Sequence, residues 1–129
     1  MITRIHSASV VVTDQDKAVE FYTNTLGWEK RLDNPMGESR FITVAPKGSE
    51  TELALMDQRM MAQENGPAIE PGMNLGISIV CKDVQKTCDD LMAKGVTFPM
   101  PPTPMPWGAL GAHFADPDGN VFFLTEDEK

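Results

Sequence analysis

Positive charge is what this chain most lacks relative to its opposite: 11 Lys and Arg stand against 19 Asp and Glu, for a net charge of −8. No basic stripe is left to neutralise phosphates, which argues against nucleic acid as a partner. Cysteine is scarce too, with only Cys81 and Cys88 in the whole chain. Their spacing fits no zinc knuckle and neither has a base beside it in sequence, so both are expected to be reduced core thiols without chemistry. Long apolar runs are missing. None approaches the ~20 residues of a membrane-spanning helix, and the opening Met-Ile-Thr-Arg-Ile-His lacks the apolar stretch of a secretory signal. The expectations are no membrane partner and a cytoplasmic location. No serine sits in a nucleophile motif and no glycine-rich phosphate loop occurs, which removes common hydrolase and nucleotide-binding patterns.

What is present suits a globular core. With 129 residues, 41% hydrophobic and 23% charged, the chain fits one domain or two small fused halves. Residues 5–12, Ile-His-Ser-Ala-Ser-Val-Val-Val, read as a strand. Asp14 then offers an N-cap for a helix to about Leu26, and Gly27 stops it. Residues 75–81, Leu-Gly-Ile-Ser-Ile-Val-Cys, repeat the plan. Asp83 caps, Val84, Cys88, Leu91 and Met92 recur at helical spacing, and Gly95 ends the helix. The caps lie 69 residues apart and the glycines 68, so the halves keep register.

Strand candidates follow each helix. In the first half they are 28–32, 41–45 and 52–57; in the second, 97–98, 111–115 and 120–125. The fold class expected is α+β, a βαβββ unit made twice, with residues 1–58 and 74–129 as the units and 59–73 as a linker inside a single domain of residues 1–129. Asp116-Pro-Asp-Gly-Asn120 reads as a hairpin turn: Pro117 fixes φ, the carboxylates accept backbone N–H groups, and Gly119 supplies φ > 0. Residues 99–108 hold five prolines, which remove donors and fix φ, so they read as an extended loop displaying Met100, Met105 and Trp107.

Val12-Thr-Asp14 leading into Phe21-Tyr22 and Leu26-Gly27-Trp28, the Lys94-Gly95-Val96 helix exit and Phe114-Ala-Asp-Pro-Asp-Gly-Asn120 together resemble the vicinal oxygen chelate superfamily. That superfamily includes glyoxalase I, the bleomycin-resistance proteins and extradiol dioxygenases. The resemblance covers nearly the whole chain and implies curled mixed sheets enclosing a cavity, within one chain or across a homodimer. Metal-dependent members are expected to show His or Glu ligands at four positions, which fall here on Ser7, Ala54, Gly76 and Phe123. None of these side chains can hold a hard or borderline divalent ion. A one-residue slip onto His6 would turn Ala8, Val10 and Val12 off the face that covers the helix. Glu52, two residues before Ala54, is the best remaining carboxylate for a rescue. The expectation is no metal and no cofactor.

Without ligands, the inward strand faces of such a fold would carry Ser7, Ser9, Ala54, Met56, Gly76, Ser78, Val121 and Phe123, small hydroxyls to one side and apolar bulk to the other. Met105 and Trp107 could close over them, offering polarisable contact to an aromatic or apolar ligand. His113, one residue before the core candidate Phe114, would face the cavity as the single candidate acid, base or hydrogen-bond donor. Arg40 could offer a charge to an anion. The function expected is metal-independent binding of a small organic molecule. The alternatives are a metal-dependent lyase, isomerase or dioxygenase of the same superfamily with non-standard ligands, and a metal-free enzyme built on His113.

Overall fold

The computed structural model describes residues 1–60, 70–72 and 76–126. Two compact units divide the chain, residues 1–73 and 74–129. The expected linker lies largely outside the described residues.

In unit 1, β1 (Ser7–Val12) leads to α1 (Gln15–Glu20), and β2 (Glu29–Met36), β3 (Ser39–Ala45) and β4 (Glu52–Asp57) follow. Asp14 caps α1 by accepting from Lys17 N at 3.1 Å. The helical turns continue as a π-helical segment, Phe21–Thr25, and Gly27, with φ of 79°, ends the run. The sheet order is β1-β4-β3-β2, with β1 parallel to β4 and the other pairs antiparallel. Alternation places Val10, Val12, Ile42, Val44, Leu53 and Leu55 on the helix side, all buried with Ala18 and Tyr22. The Gln15 amide locks helix to sheet, donating to Arg40 O at 2.6 Å and to Leu55 O at 2.9 Å.

Unit 2 repeats the plan with β5 (Ser78–Cys81), α2 (Val84–Ala93), β6 (Thr97–Pro104), β7 (Leu110–Ala115) and β8 (Val121–Glu126), ordered β5-β8-β7-β6. Asp83 caps α2 through Lys86 N at 3.0 Å, and Gly95 ends it at φ 89°. Val84, Cys88 and Leu91 pack with Ala112, Phe114, Phe122 and Leu124, where the Phe114 and Phe122 rings stack at 5.3 Å. The β7–β8 turn is built as its residues predict. Asp116 accepts from Asp118 N at 2.9 Å and Asn120 N at 2.8 Å, and Gly119 takes φ of 84°.

The fold is therefore α+β, with two mixed four-stranded sheets, neither closed into a barrel. No helix among the described residues is long and apolar enough to cross a membrane. Three expectations are corrected. Residues 99–104 are strand, not loop: β6 pairs with β7 through register shifts as the edge of its sheet, and an edge strand with bulges tolerates prolines that lack N–H groups. The strand expected at 28–32 is β2 and runs on through Asn34, Pro35 and Met36, again on a sheet edge. The first strand of unit 2 begins at Ser78, because Gly76 takes φ of 79°, which strand backbone does not adopt.

Candidate functional site

The helices cover one face of each sheet, and the opposite faces carry the residues singled out above. In unit 2 that face holds an aromatic platform. His113 pairs with Phe123 across β7 and β8, and Ser78 pairs with Phe123 across β5 and β8, so the three share one face. Phe123 N donates to Ile77 O at 3.0 Å, fixing the backbone beneath the ring. The His113 ring meets Phe123 edge to face at 5.7 Å and 77°, and Trp107 meets it at 6.3 Å and 73°. Such arrangements set the positive edge of one ring against the negative face of the next.

Gly111 makes the cluster possible. A Cβ there would stand 2.7 Å from two atoms of the Phe123 ring and 3.0 Å from Cγ of Met105, so the ring and the Met105 side chain lie directly on the bare backbone. The sequence reading passed over Gly111, although a glycine inside a strand signals a close approach. Trp107 is 57% exposed, while Phe123 and His113 are half-buried. Four of the expected site residues, Met105, Trp107, His113 and Phe123, thus converge, with Ser78 on the same face. Gly76 precedes the strand and has open space where a side chain would stand.

In unit 1, Ser7 pairs with Glu52, Ser9 with Ala54 and Val11 with Met56. Ser7, Ser9, Ala54 and Met56 therefore share the face away from α1, where Ala54 is fully buried and Ser9 exposed. Glu52 is neither a solvated strand end nor a free carboxylate. Its Oε1 accepts from Thr43 Oγ1 at 2.7 Å, and Oε2 lies 3.6 Å from Arg31 Nη1. Arg31 sits at the register shift of β2 and also donates to Ser49 O and Pro46 O. Neither Thr43 nor Arg31 was singled out from sequence, since a bulge and a cross-strand pair bring them there. His6 precedes β1 and is exposed.

Arg40 is not a spare charge. Its guanidinium pairs with Asp16 at 2.6 Å and with Asp33 at 3.2 Å, and these partners hold its pKa up. It borders a polar cleft of about 310 Å³ with residues 13–16, 38–39, Asp57 and Arg59, a lining that includes none of the expected ligand residues. There Asp57 is buried and accepts from Arg59 Nη2 at 2.7 Å and Ser39 Oγ at 2.8 Å. Those hydrogen bonds, Arg59 first, hold the Asp57 carboxyl well below the usual range. Burial pushes the Cys88 thiol up to about 11 and raises Cys81 as well, away from thiolate chemistry.

Among the described residues no three His, Cys, Asp or Glu side chains gather as a metal site. The four positions that the resemblance singles out, Ser7, Ala54, Gly76 and Phe123, carry a hydroxyl, a methyl, a glycine and a phenyl ring seated on Gly111, side chains that do not fit a divalent ion.

Residues 4–124 match the Glyoxalase/Bleomycin resistance protein/Dioxygenase superfamily. A superfamily member from Sphaerobacter thermophilus, known by its crystal structure, is 45% identical with a TM-score of 0.88, over 98% of both chains. TnmS3, an antibiotic binding protein from Streptomyces sp. CB03234, is 36% identical with a TM-score of 0.83, again over 98% of both chains. A probable lactoylglutathione lyase of Synechocystis sp. is 31% identical, over 89% of this chain and 88% of that one.

Proposed function

The chain belongs to the Glyoxalase/Bleomycin resistance protein/Dioxygenase superfamily, and on that footing we propose that it binds a small aromatic molecule without a metal ion. One observation carries the reading: Met105, Trp107, His113 and Phe123 converge over Gly111. A half-exposed tryptophan beside a seated phenyl ring offers flat, polarisable surface to a planar ligand. Among the described residues of this face His113 has no second acid–base group beside it and Ser78 is its one hydroxyl, which favours holding over turnover. Similarity to an antibiotic binding protein supports the same reading. Resemblance to the superfamily further supports a homodimer, which light scattering checks, and the acidic composition fits a cytoplasmic location.

Calorimetric titration of the EDTA-treated protein with naphthalene-2-methanol tests it. Saturable binding is expected, weakened about tenfold by Trp107→Ala through loss of the ring contact. Binding or lyase turnover that arises only after Zn, Ni, Mn or Fe is added would replace this reading with the metal-dependent one.

A further inference from the structure

His113 is the only titratable side chain on the unit 2 platform. No other residue of β6, β7 or the 105–109 loop is charged or titratable, and in β5 only the Cys81 thiol is titratable. The Cys81 position pairs with Glu126 and alternates away from Ser78, off this face. On β8 the single carboxylate, Glu126, accepts from Val84 N at 3.0 Å at the start of α2. In a chain of net charge −8, the described residues of this face include no carboxylate. The His113 side chain makes no hydrogen bond among the described residues, and it stands edge-on to the ring on which a ligand would stack.

We infer that His113 selects the ligand, and that the ligand class is an aromatic molecule bearing an oxygen acceptor or anion, such as a carboxylate, phenolate or quinone carbonyl, and not an aromatic amine. The inference rests on the aromatic-ligand reading above. An imidazole always keeps at least one N–H to donate, and an acceptor on the stacked ligand satisfies it. Once protonated, the ring gives a charge-assisted hydrogen bond to an anion and repels an ammonium group. Imidazole is the side chain that changes charge near neutrality, so the preference for an anion should strengthen on acidification.

The test titrates naphthalene-2-carboxylate and 2-naphthylmethylammonium into the full chain, and into His113→Asn and His113→Gln, at about pH 8 and about pH 6. The carboxylate is expected to bind better than the amine and to gain about fivefold in affinity at the lower pH. Both variants should lose that gain. An amine bound as tightly as the carboxylate, or a gain that survives in either folded variant, overturns the inference. If neutral naphthalene-2-methanol binds and the carboxylate does not, the role of His113 falls while the platform stands. If neither binds, the platform falls and the selector with it.

Discussion

Gly111 decides whether Phe123 can lie flat on the sheet, because an added methyl would meet the ring at 2.7 Å. Gly111→Ala is therefore expected to cost about 1–3 kcal/mol by overpacking and to turn Phe123 off its seat. Chemical denaturation and near-ultraviolet circular dichroism check this; an unchanged aromatic signal would contradict it. Asp57 is the other residue with a sharp consequence. Its carboxyl is held low, so it stays ionised in the folded chain at pH values where the unfolded chain takes up the proton. Its contribution is complete above the ordinary carboxylate range and drains away as pH falls below about 4. Asp57→Asn should remove about 1–3 kcal/mol at neutral pH and flatten the acid limb of the stability curve; an equally acid-sensitive variant would argue otherwise. At this scale the sequence revealed side-chain types but not their partners. Glu52 could be recognised as a carboxylate near the right face, yet its hydrogen bond from Thr43 and its ion pair with Arg31 depend on a cross-strand pairing and a bulge that no local pattern announces.

Elements set by local chemistry were legible, and those set by the sheet were not. Asp14 and Asp83 announce two helix starts and cap them, and Asp116 closes its own turn. β6 was hidden because its prolines argue against any strand, and only its position at the sheet edge makes them tolerable. The short β5 was over-extended for the opposite reason: apolar residues continue to Leu75 while the backbone turns at Gly76. Asp83→Ala should lower stability by about 1 kcal/mol, and Asp83→Asn by much less, because an amide oxygen still accepts from Lys86 N. Denaturation of the two variants side by side checks this; equal losses would show that the cap contributes through charge alone.

On the scale of the whole molecule, the plan is made twice, a mixed four-stranded sheet with its helices on one face in each unit, as in the superfamily to which the chain belongs. Ser78 and Phe123 pair across β5 and β8, and the Phe123 ring is committed to Gly111, Trp107 and His113. The fold could be read from the motif order, whereas the platform could be read only as a set of candidates. Their meeting depends on β6 turning back through residues 105–109 to bring Met105 and Trp107 over β7. The most direct test is a two-dimensional NMR titration of the EDTA-treated protein with naphthalene-2-methanol. Shift changes concentrated at Met105, Trp107, Gly111, His113 and Phe123, unaltered by added zinc, are the predicted result. Changes that require zinc and centre on His6 and Glu52 would contradict it.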